Sequence, residues 1–249
     1  MRLVDRRGQG SARASKPVRQ EIILPMFTLH HCVSARSFRV LWILEELGAP
    51  YTLKMLPFPP RVGAREFLQI NPLGTVPAFF DGETAMTESA AICQYLAAQA
   101  ARTAPTPLNV EPQEPEFGAY LNYLHFGEAT LTFPQTLVLR YGRFEPEERR
   151  SPQVAGDYSK WFLSRLRSLE PLLTKQPYLC GRFTAADVSV GYALMLAEHL
   201  GLSAQFTPAV AAYWQRLRER DAFRRALAVE TQFAREQGVS TVPAPDTQP

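Results

Sequence analysis

The feature of this sequence that most constrains its fold is a change in hydrophobic periodicity partway along the chain. Residues 26–102 alternate between short strand-like and helix-like segments, whereas no segment after residue 112 alternates like a strand. Between these regions, residues 103–112 contain three prolines and no periodic pattern, as is typical of a linker. The sequence therefore predicts an α+β protein in which a mixed domain is followed by an all-helical one.

The mixed region predicts the element order strand–helix–strand–helix–strand–strand–helix, or βαβαββα. Two strands, Met26–His31 and Tyr51–Leu56, flank a helix over Ser37–Leu47, and a βαβ unit of this kind makes its strands parallel. Asp81-Gly82 is a two-residue hairpin signal, so the last two strands should pair antiparallel. We therefore expect a four-stranded mixed sheet with helices packed against it.

The rest of the chain divides into a helical region and two atypical ends. Residues 1–25 are rich in Arg, Ser, Gly and Gln, which predicts a disordered extension or a start codon assigned upstream of Met26. A transit peptide fits less well, because an amphipathic pattern is missing. Residues 239–249, with three prolines, predict a disordered tail. Within residues 113–238, the periodicity favours helices at 115–140, 154–173, 185–200 and 208–218.

Composition argues against several classes of function. The net charge is only +3, and six basic residues lie within the first twenty positions, so we expect no nucleic-acid partner. The longest apolar run, Val188–Ala197, is too short to span a bilayer, so we expect no membrane association. The three cysteines lack zinc-ligand or CxxC spacing, and the neighbouring His30 and His31 point to opposite faces of a strand. These features predict a soluble, cytoplasmic protein without a bound metal.

Four stretches of the sequence carry a resemblance to a known family. They are His30–Trp42, Asn71–Pro77 followed by Asp81-Gly82, Thr87–Leu96, and Phe183–Asp187. In this order and spacing they are similar to the cytosolic glutathione transferase superfamily, over residues 26–237. The resemblance implies a thioredoxin-like, glutathione-binding domain at 26–102 and a helical domain at 113–238 that shapes a second, apolar substrate pocket. It also implies a detoxifying homodimer that uses glutathione as co-substrate and attacks a small apolar electrophile.

The resemblance assigns glutathione binding to two turns of the first domain. In the family the peptide bond before Pro77 is cis, and the main chain of Val76 binds glutathione as though adding a strand. An ordinary loop with a trans proline is the structural alternative. At the start of the third helix, Ser89 and Glu88 would hold the γ-glutamyl carboxylate and ammonium, although simple helix capping is also compatible with these residues. Thr75 and Lys54, with Arg61, are weaker candidates for contacting the glycine end.

The chemistry implied by the family is conversion of the glutathione thiol to a thiolate. A hydroxyl donor near a helix N-terminus stabilises the charged sulfur. Ser34 lies six residues before Val40, a spacing similar to that of the catalytic serine in the zeta and tau classes. Ser37 is an alternative. Cys32 is a second alternative, which would support thiol–disulfide exchange, although a cysteine at a strand end is usually an inert apolar residue.

The second-substrate pocket is expected on the long helix that follows the linker. That helix is unusually aromatic, and His125 and Glu128 are its more suggestive polar members, although such a stripe more often forms core and the pair could be buried and hydrogen-bonded. Arg36 and Arg39 either position the first helix or are solvated, and Phe58 either anchors a dimer or packs within its own subunit. The residues predicted to line the pocket are Tyr120, Tyr123, His125 and Phe126.

Thr184 and Asp187 form a predicted capping box with a structural role, because a Thr cap and an acidic residue three positions later satisfy free helix N–H groups. Three alternatives to a transferase stay open. They are a glutathione-dependent isomerase like maleylacetoacetate isomerase, a thiol–disulfide oxidoreductase using Cys32, and a binding module without catalysis.

Overall fold

The computed structural model describes residues 27–247, so the predicted N-terminal extension at 1–25 lies outside the described residues. Its four strands form one sheet in the order β2-β1-β3-β4. Strand β1 pairs parallel with β2 and antiparallel with β3, and β4 runs antiparallel to β3, which confirms the predicted mixed sheet. The strands are β1 (Phe27–His31), β2 (Tyr51–Met55), β3 (Ala78–Asp81) and β4 (Thr84–Met86).

The helices confirm the predicted fold class, a thioredoxin-like βαβαββα domain followed by an all-helical one. The first domain contains α1 (Phe38–Leu47), α2 (Pro60–Gly63) and α3 (Ser89–Ala101). The second contains α4 (Phe117–His125), α5 (Phe133–Leu139), α6 (Pro152–Leu166), α7 (Glu170–Leu173), α8 (Ala185–His199), α9 (Pro208–Arg218) and α10 (Asp221–Glu236).

Helix α10 was not predicted, because the expected helices ended at residue 218. Its buried positions Phe223, Ala226, Glu230 and Ala234 follow helical spacing, but one member of this stripe is acidic. The amphipathic pattern of α10 is nevertheless strong, with buried Phe223 and Ala226 opposite exposed Arg224 and Arg225, so the helix could have been recognised from the sequence. Glu230 connects α10 to the first domain, as described below.

The long helix predicted over 115–140 is divided into α4 and α5 by a π-helical segment, Phe126–Thr132. At its start, Gly127 lies so close to α8 that a Cβ atom there would stand 2.5 Å from the Ser189 Oγ. The Gly127 carbonyl accepts a hydrogen bond from Arg39 at 3.3 Å. A π segment adds one residue to a turn and changes which residues face the first domain.

Arg39 of α1 is a buried cation that ties the two domains together. Its guanidinium donates to the Ser89 Oγ at 3.1 Å, the Thr132 Oγ1 at 2.7 Å and the Ser189 carbonyl at 3.1 Å, and it pairs with the Glu128 carboxylate. These partners belong to α3, the π segment and α8. The alternative that Arg39 is solvated is therefore wrong.

The predicted capping box anchors the central helix α8. The Asp187 carboxylate accepts hydrogen bonds from the Thr184 N–H at 2.8 Å, the Leu179 N–H at 3.0 Å and the Tyr213 hydroxyl at 2.8 Å. Burial raises the pKa of Asp187 to about 6, although these hydrogen bonds lower it. The structural role expected for this pair is confirmed.

The predicted disorder of residues 239–249 is wrong for 239–247, which pack on the rest of the protein. The Ala244 N–H donates to the Val33 carbonyl at 2.8 Å, and the Ala244 side chain is buried. The Asp246 carboxylate accepts from Arg143 at 2.9 Å. Proline fixes φ near −65° and lowers the entropy cost of ordering, so a proline-rich segment, here with a 3-10 turn at Ala244–Asp246, can pack along a surface as well as form a disordered tail.

Candidate functional site

A cleft of about 280 Å³ lies between the two domains and the C-terminal segment. The loop from β1 to α1, the turn before β3 and the loop after β2 form one wall. Helices α5 and α8 form the opposite wall, and the C-terminal segment closes one end. Residues that carry these walls include Ser34, Arg36, Phe58, Arg61, Thr75, Val76, Thr136, Leu139, Phe144, Tyr192, Ala244 and Pro245.

The turn before β3 presents main-chain groups to the cleft. The Val76–Pro77 peptide bond is cis, as the family resemblance implied. Within residues 27–247, no hydrogen bond engages the N–H or carbonyl of Val76. Thr75 is exposed beside it, and its carbonyl accepts from the Asn71 side chain at 2.8 Å. An extended peptide therefore finds a donor and an acceptor here, as at a sheet edge.

Glu88 and Ser89 stand at the N-terminus of α3, where helix N–H groups are free, but neither lines the cleft. Glu88 is exposed, and the buried Ser89 Oγ accepts from Arg39. Because Arg39 supplies the donor, the hydrogen of the Ser89 hydroxyl is available to an anionic ligand. This corner is compatible with both the capping and the ligand-binding interpretation.

Lys54 is not brought to the cleft. It is exposed on β2 between the buried residues Leu53 and Met55, so alternation along the strand directs its side chain to the other face. The cation at the rim of the cleft beside Thr75 is Arg61 instead. Arg61 thus replaces Lys54 as the candidate for contacting the glycine end of glutathione.

Ser34 lines the cleft in an unusual backbone conformation. Among the described residues it is the one non-glycine residue with a positive φ, at 54°. It is 3% exposed, its N–H donates to the Glu230 Oε2 at 2.9 Å, and its hydroxyl donates to the Glu230 Oε1 at 3.2 Å. The loop that carries the leading catalytic candidate is therefore held by a residue from the last helix.

Glu230 is a site residue that the sequence analysis missed. It is 2% exposed, and its Oε2 also lies 2.8 Å from the Nε2 of His31. The His31 Nδ1 lies 2.7 Å from the Ser37 Oγ, so a buried chain of polar groups runs beneath the loop. The sequence offered one signal for this residue. Glu230 is an acidic residue at a buried position of an amphipathic helix, and a buried carboxylate is unfavourable unless polar groups from elsewhere in the fold contact it.

The two alternatives for the catalytic residue are poorly placed. Ser37 is fully buried, bonded to His31, and does not line the cleft. Cys32 is also fully buried, and burial raises its pKa to about 12. A thiol with this pKa is almost entirely protonated at neutral pH and reacts slowly. Cys93 and Cys180 are buried as well, as expected for structural cysteines.

The four residues predicted to line the second-substrate pocket do not reach the cleft. Tyr120 is in the core, and Tyr123 stacks edge-on against Phe126 with ring centroids 6.2 Å apart. His125 lines a separate shallow depression. The helical region that follows the linker reaches the cleft only beyond the π segment. The residues that face the cleft therefore lie later in the sequence than predicted. The helical wall is formed instead by Thr136, Leu139, Phe144, Tyr192 and Leu196.

Phe58 packs within its own subunit, with its ring centroid 5.7 Å from that of Phe144 across the cleft. This contact favours packing within the subunit over a role for Phe58 as a dimer anchor.

In the part of the chain that the structure describes, no three His, Cys, Asp or Glu side chains are grouped as metal ligands. Between residues 27 and 247, every helix is too short or too polar to cross a bilayer.

Comparison with known proteins places this geometry in a family. A model of the glutathione S-transferase N-terminal domain matches residues 33–99. The glutathione S-transferase GstA of Escherichia coli O157:H7 is 31% identical over 196 residues, which cover 75% of this chain and 90% of that protein. Glutathione S-transferase 3 of Schizosaccharomyces pombe is 35% identical over 109 residues, or 43% of each chain. Hmp2 of Hypomyces subiculosus is 33% identical over 47% of this chain and 56% of its own. This chain therefore matches only about half the length of the last two relatives.

Solved structures show the same fold. A Phanerochaete chrysosporium glutathione transferase in complex with oxidized glutathione superposes with a TM-score of 0.72 at 27% identity, covering 84% of this chain and 97% of that one. A glutathione transferase from Methylococcus capsulatus gives a TM-score of 0.72 at 26% identity, covering 82% and 98% of the two chains.

Proposed function

This chain belongs to the cytosolic glutathione S-transferase superfamily, and on that premise we propose that it binds glutathione in the cleft and activates its thiol at Ser34. The observation that carries the proposal is that Ser34 and the unpaired main chain of Val76 line the same cleft. One small ligand could therefore contact both the main chain of Val76, which can bind a peptide, and Ser34, which lies near the start of α1.

Glutathione binding would use main-chain and charged groups along one wall. The cysteinyl backbone of glutathione would pair with Val76, and its γ-glutamyl group would extend toward Ser89 and Glu88 at the start of α3. Arg61 and Thr75 stand at the other side of the turn, where the glycine carboxylate would lie. An anionic tripeptide suits a wall with an arginine and a helix N-terminus.

Thiol activation would occur at Ser34. A free thiol has a pKa of about 8.5, so most of it is protonated at neutral pH. A hydroxyl that donates to the sulfur, near the positive end of α1, favours the thiolate. The buried position of Cys32, which raises its pKa to about 12, argues against a disulfide-exchange mechanism at this loop.

The electrophile would bind between the helical wall, Phe58 and the C-terminal segment. Phe58, Leu139, Phe144 and Pro245 give that part of the cleft an apolar surface, and Tyr192 adds a polar group. An apolar, flat electrophile fits this lining better than a charged one. We expect the reaction to be the addition of the glutathione thiolate to such a compound, as in detoxification.

We further propose a cytoplasmic homodimer, as in the family. Exposed apolar side chains on both domains support an interface that buries them, because large apolar residues are usually covered. The exposed apolar residues include Leu68, Ile70 and Leu73 of the first domain and Phe133 and Trp161 of the second.

The proposal is tested by steady-state conjugation of glutathione to a chlorodinitrobenzene. We expect Ser34→Ala to lower kcat/KM by about 10²-fold, because the thiolate loses its hydroxyl donor. Ser164→Ala, an exposed serine on α6, is the matched control and should leave the rate unchanged. Wild-type protein that binds glutathione but gives no conjugation, or full activity in Ser34→Ala, would contradict the proposal.

A further inference from the structure

A second cavity, of about 450 Å³, adjoins the substrate cleft. The cleft and this cavity share Arg61 and Phe144 in their walls, so a molecule bound in the cleft can extend past these side chains into the cavity. The cavity differs from the cleft in charge, because half of its lining residues are arginines. The residues that line it are Arg61, Arg140, Phe144, Glu145, Pro146 and Arg149.

Positive charge exceeds negative charge in this lining. Glu145 is the one acid among the described residues of the wall, and a hydrogen bond from Arg140 lowers the pKa of its carboxyl, so Glu145 is ionised at neutral pH. The Arg140 Nε lies 2.8 Å from the Glu145 Oε1, and the Arg149 Nε lies 3.2 Å from Oε2. One carboxylate therefore stands between two guanidinium groups, before Arg61 is counted.

The arginines of the cavity also keep hydrogen-bond donors free. Arg140 and Arg149 approach Glu145 through Nε, and the terminal nitrogens of these two guanidinium groups donate no hydrogen bond to any residue within 27–247. A guanidinium carries five N–H donors in a planar fork, which matches the two oxygens of a carboxylate. The cavity therefore offers both the charge and the donors that bind a second carboxylate.

The loop from α5 to α6, which carries Arg140 and Arg149, is fixed by its own hydrogen bonds. The Arg150 Nε donates to the Glu145 carbonyl at 3.0 Å, and a terminal nitrogen of the same side chain donates to the Arg143 carbonyl at 3.2 Å. A main-chain hydrogen bond of 3.0 Å also closes the two ends of the loop. Because the backbone is already ordered, a ligand that binds the two arginines pays less of the entropy cost of forming the site.

Glutathione does not neutralise this cavity. In the proposed complex Arg61 stands where the glycine carboxylate would lie, so one arginine is matched by one acid of glutathione. The γ-glutamyl carboxylate would lie at the start of α3, and neither Glu88 nor Ser89 of that corner lines the cavity. Arg140 and Arg149 are consequently left with Glu145 alone when glutathione is bound.

We propose that the electrophilic substrate carries a carboxylate, which Arg140 and Arg149 bind in this cavity while the apolar part of the substrate fills the cleft. The apolar lining of the cleft suits the part that reacts with the thiolate, and the charged group lies beyond Phe144. Glu145 holds the two guanidinium groups side by side. The substrate class is therefore an apolar compound with an acidic end. This inference rests on the proposed function, because glutathione must bind in the cleft.

The test uses S-alkylglutathiones, whose alkyl chain occupies the place of the second substrate. Two series, with chains from propyl to octyl, end either in a carboxylate or in the primary amide of the same shape, and calorimetric titration of the whole protein gives each dissociation constant. At the best chain length we expect the carboxylate to bind about fivefold more tightly than the amide, because its hydrogen bonds to arginine are charge-assisted. Equal affinities of acid and amide at every length would overturn the proposal.

Variants of the arginines assign the preference to this cavity. Arg140→Met/Arg149→Met should reduce the ratio of the two affinities to about one and leave the affinity for S-hexylglutathione unchanged. Arg149→Met alone keeps the Arg140–Glu145 pair and should lower the ratio about twofold, which preserves the test if the double variant fails to fold. Arg167→Met is the matched control, because Arg167 is exposed and lines neither the cleft nor the cavity. A preference that survives the loss of both arginines would contradict the proposal.

S-hexylglutathione separates this inference from the function on which it rests. If S-hexylglutathione binds and the acid and amide series bind equally, the inference fails while the proposed glutathione site stands. If neither S-hexylglutathione nor any member of the two series binds, the cleft does not hold glutathione and both proposals fail.

Discussion

Two buried charged residues join the domains, and they differ in the kind of group that each one contacts. Arg39 reaches from α1 toward the helical domain, and its guanidinium has partners on α3 of the first domain and on the π segment and α8 of the second. Glu230 reaches from α10 to the loop before α1 and holds Ser34 and His31. Arg39 is enclosed by fixed acceptors, whereas Glu230 contacts Ser34, a residue of the cleft. A buried charge with fixed partners anchors a fold, and one that contacts a residue of the cleft also positions that residue.

The largest effect should follow the loss of the Arg39 anchor. Arg39→Met leaves the buried Ser89 and Thr132 hydroxyls without this donor and leaves the Glu128 carboxylate with Arg36 as its cation, and we expect a loss of about 3–5 kcal/mol in the free energy of unfolding, measured with urea. The matched control is Arg36→Met, which removes the second arginine paired with Glu128 at 3.2 Å. Arg36 is 40% exposed, so this pair should contribute at most about 1 kcal/mol. Equal losses in the two variants would contradict the distinction between an anchoring and a solvated charge.

The second-largest effect concerns the reactivity of Cys32. This residue lies next to the loop that carries Ser34, but its thiol is buried and should be unreactive. Because burial raises its pKa to about 12, its thiolate fraction at neutral pH should be on the order of 10³-fold below that of a free cysteine. Alkylation by iodoacetamide, followed by peptide mass spectrometry, should be correspondingly slow in the native protein and rapid after unfolding. Native Cys32 that reacts like an exposed thiol would restore the disulfide-exchange alternative.

The smallest effect should come from the C-terminal segment. The Asp246 carboxylate is bonded to Arg143 at 2.9 Å and to the His199 Nδ1 at 2.8 Å, but these groups are partly exposed. We expect Asp246→Asn to cost at most about 1 kcal/mol in stability. It should nevertheless raise KM for the electrophile a few-fold, because Ala244 and Pro245 close the end of the cleft. Unchanged KM values for both substrates would show that this segment does not shape the electrophile site.

Local signals were sufficient for much of the fold. The strand alternation, the Asp81-Gly82 hairpin and the Thr184–Asp187 cap each depend on residues close in sequence, and all three are present in the structure. Ser34 and Val76, which stand in short motifs of the first domain, both line the cleft.

The missed features depend on contacts between distant residues. Glu230 lies 196 positions from Ser34, and its own helix shows no motif that would connect the two. The second pocket was misplaced because the π segment adds a residue to the helix, which turns the following side chains by about 100°. Residues 239–247 were misjudged because composition does not distinguish a disordered segment from one that packs on the surface of the protein.

The most direct test of the account is the position of the glutathione sulfur in a crystal structure of the complex. We expect a sulfur within about 3.5 Å of the Ser34 Oγ, a glutathione backbone paired with Val76, and Glu230 still bonded to Ser34. A sulfur that contacts Ser37 or Cys32 instead, or glutathione bound outside the cleft, would contradict it.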